Sequence, residues 1–426
     1  MLFIKNGEVV DTKEGIMRHC DVFISEGVIK AMAPWGEMEV PEGAKVLDAK
    51  GKIVAPGLLD MHVHLREPGE EYKETIESGC KAAVAGGFVA VLSMPNTRPV
   101  NDNASVTQYI IKRANEVGLA QVYPVGAITV GQKGEVLSEF GDLRAAGAVA
   151  VSDDGKCVMD SGLMRRAMEY ASFFGLRVIS HCEDTNLSEG GQMHEGVVSA
   201  HIGLKGIPAE AEEIMVFREI ALSKLTGVPI HIAHVSTKGS VELIRWAKSK
   251  DILVTAETAP HYFTLDHNEL SGYNTLAKVN PPLRTPQDVA AIIEGLSDGT
   301  IDAIATDHAP HSVLEKEVEF DKASPGMVGL ELAVPLALTL VRNGALSMPE
   351  AIRKMSLNPC RILGIEGGAI EVNKKADICI IDPTVEWEVT QEELYSKGKN
   401  TPFLGRVLKG RNMVTIIGGE VVFARP

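Results

Sequence analysis

Short apolar runs alternate with amphipathic segments through the middle of the chain, a pattern that predicts βαβ units and a parallel sheet. The runs are 53–63 (IVAPGLLDMHV), 87–94 (GFVAVLSM), 121–128 (QVYPVGAI), 147–152 (GAVAVS), 176–180 (LRVIS), 228–235 (VPIHIAHV), 252–257 (ILVTAE) and 301–306 (IDAIAT). Between them ESGCKAAVAG, VTQYIIKRANEVG, SGLMRRAMEYASFFG and VELIRWAKSK place apolar residues at three- and four-residue spacing, as a helical face requires. Eight strands and their helices over ~300 residues predict an α/β fold, a (β/α)8 TIM-type barrel, whose usual size is ~250 residues. The chain ends have a different texture. MLFIKNGEVV, DVFISEGVIKAMA and KVLDAKGKIV at one end and DICIIDP, VEWEV and MVTIIGGEVVFA at the other are rich in Val and Ile. Asn6-Gly7 and Glu26-Gly27 are spaced as hairpin turns. The ends are expected to fold together into a small composite β-sandwich domain, 1–52 with 366–426, leaving 53–365 to the barrel.

Composition narrows the partners. With 42 Lys+Arg against 57 Asp+Glu the net charge is −15, and no basic face is concentrated anywhere, so nucleic acid is not expected to bind. The longest apolar stretch, 330–341, contains Glu331 and Pro335 and is too short for a bilayer. The amino terminus turns polar by its fifth residue and carries no export signal, so a cytoplasmic protein is expected. Six cysteines without a CxxC pair read as reduced thiols.

Barrel enzymes draw their catalytic groups from the carboxyl ends of several strands, so what stands where each apolar run stops is informative. The first run ends in Asp60-Met61-His62-Val63-His64, the fourth in Asp153-Asp154, the fifth in His181, the sixth in His234 and the eighth in Asp307. Side chains two apart on a strand share a face, so His62 and His64 point together into the mouth. Histidines and acids converging there would be costly unless paired or metal-bound. Imidazole and carboxylate ligands suit zinc, and one shared acid fits a two-metal site with ions ~3.5–4 Å apart. Parity puts His231 opposite His234 and His308 opposite Asp307; His234 lies nearer the carboxyl end, where the site must be, which leaves His231 as a structural histidine. His311 lies beyond the strand, over the mouth, where it could reach a substrate. His19, His194, His201, His261 and His267 carry no positional argument and read as packing or surface residues. Asp153 and Asp154 compete for the shared position. A carbamylated lysine bridge is excluded, because GAVAVSDD has no lysine and Lys156 follows the turn-forming Gly155.

These motifs resemble the dihydroorotases of the amidohydrolase superfamily, in the longer bacterial class (class I) built like allantoinases and hydantoinases. The resemblance rests on PGLLDMHVHLREPG at 56–69, MPNT at 94–97, SDDG at 152–155, SHCED at 180–184, HIAHVST at 231–237, NPPLR at 280–284, TDHAPH at 306–311 and SPGMVGLE at 324–331. It implies two zinc ions, one held by His62, His64 and Asp307, the other by His181 and His234. Asp154, the acid just before the glycine, would bridge them together with a hydroxide, with Asp153 as the fallback. It also implies Asp307 as general acid and base, Arg66 on the substrate carboxylate, and His64, Asn96, Asn280, His311 and the Pro325-Gly326 backbone as further substrate contacts.

The activity implied is the reversible closure of N-carbamoyl-L-aspartate to L-dihydroorotate in pyrimidine synthesis. An allantoinase or hydantoinase, or a non-catalytic partner subunit of aspartate transcarbamoylase, are the alternatives. The family also implies a homodimer and a possible association with that transcarbamoylase. The charged segment 311–326 (HSVLEKEVEFDKASPG) reads as a mobile loop closing over the substrate.

Overall fold

The computed structural model describes residues 1–426. Its eight parallel strands run in chain order around the sheet: Leu58–Val63, Phe88–Ser93, Gln121–Gly126, Ala150–Val151, Arg177–Ser180, Ile230–Ile232, Val254–Thr258 and Ala303–Ile304. The first and last meet where Val63 bridges His308 and the His64 N–H donates to the His308 carbonyl at 2.8 Å. Deeper in this seam the fully buried Asp60 carboxylate accepts the Thr306 N–H at 3.0 Å and the His62 N–H at 3.1 Å. The expected barrel is therefore formed, and its last gap is closed by a side chain.

The strands are short because each carries few inward residues. Leu59, Met61, Leu92, Ile179, Ala303 and Ala305 belong to an interior cluster of 14 buried residues. Cys360 and Ile362 of helix Leu357–Leu363 complete that cluster, beside Gly57, Leu59 and Val89 where the strands begin. The outward residues and the helices form a second cluster of 79. The segments with helical spacing become Ile76–Gly86, Ala104–Val117, Ser161–Phe173 and Lys238–Lys248. Thr75, Asn103, Asp160 and Thr237 cap them by accepting backbone N–H groups of the first turn.

Both chain ends join in one further eight-stranded sheet. Its order is Glu420–Ala424, Val407–Ile417, Ile378–Glu388, Ile53–Pro56, Leu2–Asp11, Ile16–Ser25 and Val28–Pro34, with Lys45–Asp48 also paired to Leu2–Asp11. It has its own cluster of 13 buried residues, among them Ile4, Val22, Val54, Ile378 and Ile416.

Two local expectations are corrected. The run 53–63 is two strands: Ile53–Pro56 pairs with both chain ends in the small sheet, and Leu58–Val63 opens the barrel. The chain crosses between sheets at Gly57, where a Cβ would lie 2.4 Å from Val89 Cγ1. Asn6-Gly7 is an irregularity inside strand Leu2–Asp11, while Glu26-Gly27 is the hairpin turn expected. Gly7 cannot take a side chain because its Cβ would meet Val54 Cγ2 at 2.4 Å.

Removing the seam carboxylate leaves two buried N–H donors unsatisfied. Asp60→Ala is expected to lower stability by roughly 2 kcal/mol or more, which urea unfolding measures.

Candidate metal centre and active site

Asp154 stands at the centre of the mouth. Its carboxylate oxygens lie 3.2 Å from His62 Nε2, 3.5 Å from His64 Nε2, 3.7 Å from His181 Nδ1 and 3.5 Å from His234 Nε2. Asp307 Oδ1 is 3.2 Å from His64 Nε2 and 3.7 Å from His62 Nε2. Two groups of potential ligands result, His62 with His64 and Asp154, and Asp154 with His181 and His234, each with ligand atoms within 4.8 Å of one another. All five side chains are buried. Asp153 is used elsewhere: its carboxylate accepts the Thr129 N–H at 3.1 Å and the Thr129 hydroxyl.

Local backbone geometry assembles this set. The pairing of the first two barrel strands slips between Asp60 and Val63, so that three residues on one strand oppose two on the other. Met61 can then fill the barrel interior while the adjacent His62 also enters the mouth. His64 joins it, the two rings lying 5.4 Å apart. His234, Asp307 and Arg66 follow their strands with positive φ, at 33°, 49° and 62°. Such conformations are rare outside glycine and are held here by the surrounding contacts.

The charges reinforce one another. Burial raises the Asp154 carboxyl, but the imidazoles of His62, His234 and His64 outweigh it and hold it well below the usual carboxylate range. Burial likewise opposes ionisation of Asp307, and the adjacent imidazoles of His64 and His62 bring it to about 2. His62 responds in the opposite sense: burial disfavours its cation, yet Asp154 and Glu257 raise its pKa well above the ordinary value. The pairing leaves bonds unmade, because His62 Nε2 and Asp154 Oδ1 are buried without a hydrogen-bond partner. Orphaned imidazole and carboxylate atoms aimed at one another suit a divalent cation between them.

Beside this centre lies a second set. Arg66 is 8 % exposed, donates from Nε to the Pro310 carbonyl at 3.2 Å, and has Nη2 3.3 Å from His311 Nε2. Neither contact is with a carboxylate, and the acids that act on its charge, Glu70, Asp307 and Glu315, do so from beyond ion-pair distance. Burial and the neighbouring Arg66 push the His311 imidazole down, which keeps it neutral. His311 Nε2 is also 2.9 Å from the Pro325 carbonyl. Gly326 is needed beside it: φ is 134°, and a Cβ would lie 2.7 Å from that of Ala309. Asn96 Oδ1 lies 2.8 Å from His64 Nδ1. Asn280 does not touch the histidines; its amide donates to Glu183 at 2.9 Å, and Glu183 is 2.8 Å from His181 Nε2.

Comparisons with known proteins show the family and the fold. A family model described as dihydro-orotase-like matches residues 51–240. The dihydroorotase of Pelotomaculum thermopropionicum is 58% identical over 422 residues, covering 99% of this chain and 98% of its own. That of Geobacter metallireducens is 53% identical over 424 residues, covering 100% of both chains. The chain belongs to the dihydroorotases. Among solved structures, the L-hydantoinase (dihydropyrimidinase) from Arthrobacter aurescens superposes with a TM-score of 0.88 at 25% identity, over 99% of this chain and 96% of that one. This dihydroorotase chain thus shares its fold with that hydantoinase over nearly its whole length.

Several residues escaped the sequence reading. Glu257 ends a strand run as the histidines do, and Glu183 lies inside SHCED, so the strand-end rule applied to every acid would have found both. Asn400 had no such signal. It arrives from the carboxy-terminal segment, accepts the His311 N–H at 2.8 Å and donates to the Ala309 and Gly326 carbonyls at 3.0 Å. Lys316 was also missed. It is 2 % exposed, and its Nζ donates to the carbonyls of Lys278, Ser324 and Gly326 at 3.3, 2.7 and 3.0 Å. It ties 311–326, including the short helix Val313–Lys316, down beside the mouth. Lys316→Met is expected to speed protease cleavage within 311–326 severalfold and to raise KM; cleavage at the wild-type rate would show that the lysine does not hold the segment.

Proposed function

We propose that the chain interconverts N-carbamoyl-L-aspartate and L-dihydroorotate, the ring-closing reaction of pyrimidine synthesis, with two zinc ions held at the mouth. His62, His64 and Asp307 would hold one ion and His181 and His234 the other, with Asp154 reaching both. The donor set of imidazoles and carboxylates supports zinc. When bound, two such ions lower the pKa of a water and polarise an amide carbonyl.

The observation that carries the choice of substrate is Arg66, a buried guanidinium with no carboxylate partner. A planar substrate carboxylate supplies that partner through two parallel hydrogen bonds. Neutral His311 and the amide of Asn96 flank it and fix which way the ring lies. Asp307 is ionised, the state a base requires. In hydrolysis it takes a proton from water and returns it to the ring nitrogen; in closure it takes the ureido proton as that nitrogen bonds to the carboxyl carbon, and gives it to the departing oxygen, which leaves as water. Asn280 reaches the substrate side through Glu183, and the Pro325-Gly326 backbone forms the wall behind His311. Hydantoin and allantoin rings lack the carboxylate that Arg66 calls for, which favours dihydroorotate over them. A partner subunit without activity has no need of the complete donor set found here.

Turnover of L-dihydroorotate by the zinc-loaded protein, followed as ultraviolet loss of the ring amide with allantoin and hydantoin alongside, tests this directly. Dihydroorotate alone should be consumed, and silence on all three would sink the reading. Asp307→Ala should keep at least part of its metal yet lose turnover by several orders of magnitude. Arg66→Met should lower kcat/KM by about a hundredfold, the scale of two charge-assisted hydrogen bonds.

A further inference from the structure

Glu257 and His231 are ionisable, buried to 1 % and 0 % exposure, and untouched by the chemistry above. Both belong to barrel strands. His231 sits in Ile230–Ile232 directly opposite Thr255 of Val254–Thr258, and Glu257 is two residues beyond Thr255 on the same face. Glu257 Oε1 lies 3.0 Å from His62 Nδ1, and its Oε2 lies 3.2 Å from His231 Nε2. His231 Nδ1 is in turn 2.8 Å from the Thr255 hydroxyl.

One proton arrangement suits the whole row. Glu257 Oε1 accepts Nδ1–H from His62 and Thr255 donates its hydroxyl proton to His231 Nδ1, while His231 Nε2 and Glu257 Oε2 face each other at 3.2 Å in a close contact that is not aligned as a hydrogen bond. A carboxylate facing a bare Nδ1 would set lone pair against lone pair, so Nδ1 keeps its proton and Nε2 is the nitrogen that would give up its own to a metal ion. That Nε2 is the buried, unpartnered atom 3.2 Å from Asp154. Asn96 and Glu183 face His64 and His181 in a similar way, but both stand at the mouth, where substrate also arrives. Glu257 does not, so any effect it has on the reaction must pass through His62.

We propose that Glu257, anchored by His231 and Thr255, is a positioning residue that fixes the tautomer and ring orientation of His62 and so sets metal affinity in the His62/His64 group. The inference rests on the metal reading of the site. Groups that orient a metal-binding histidine typically change metal affinity or activity 10- to 100-fold.

The test is zinc retention by the full-length protein against a competing chelator, with stoichiometry measured by elemental analysis. Glu257→Ala should bind one of its two ions about 100-fold more weakly, with the other ion held within a few-fold of wild type. Glu257→Gln keeps the shape and an oxygen acceptor for His62, and His231 can shift its proton to suit the amide; it should fall between, with about a tenfold loss. In both variants kcat should drop while KM stays near wild type. A wild type with two ions and a folded Glu257→Gln and Glu257→Ala pair that hold both as firmly would overturn the inference while leaving the metal reading intact. Equal weakening of both ions, with a lower melting temperature of the metal-free protein, would overturn it in favour of a general structural role. A wild type that takes up no zinc would overturn the metal reading and this inference together.

Discussion

One carboxylate organises the mouth of this barrel. Asp154 lies between four imidazole rings contributed by the first, fifth and sixth strands, with ligand atoms 3.2 to 3.7 Å away. Charge buried at that density is tolerated only when it is paired or shared with a cation, so the position of Asp154 fixes where every histidine must point. The fourth strand, Ala150–Val151, is correspondingly brief. The chain leaves it early, gives Asp153 to Thr129, and turns at Gly155 with φ of 73° so that Asp154 alone faces inward.

Closure of the barrel makes the arrangement possible. Strand eight has to meet strand one for Asp307 to approach His64, and the seam carboxylate of Asp60 and the Val63–His308 bridge bring them together. The slip in pairing at Asp60–Val63 then resolves a competition between packing and chemistry, since Met61 is needed in the interior and His62 in the mouth. The small sheet contributes indirectly. Between its strands Ile378–Glu388 and Val407–Ile417 runs the segment that delivers Asn400 to the carbonyls beside His311. The setting of His311 therefore draws on chain ends far from the strand motifs.

The eight-stranded barrel was legible because its cause is local: apolar runs of five to eleven residues and helical faces repeat along the chain, and both periods are set by neighbouring residues. The positions of His62, His64, Asp154, His181, His234 and Asp307 were legible for a related reason, since each stands where an apolar run ends. Parity set His231 against His234 and His308 against Asp307, and nearness to the strand end chose His234 over His231. It left Asp153 and Asp154 open, because the chain departs from regular strand there. The turn expected at Asn6-Gly7 proved to be a bulge, set by the close approach of Val54 from a strand more than forty residues away.

The sequence by itself determined the barrel, the kinds of side chain at its mouth and the family to which the chain belongs, because periodicity and strand-end chemistry are properties of short segments. The tertiary structure decided which partner each side chain meets. That Asn280 reaches Glu183, that Lys316 is buried among carbonyls, and that Glu257 joins His62 to His231 are consequences of distances between remote segments, which no local pattern encodes.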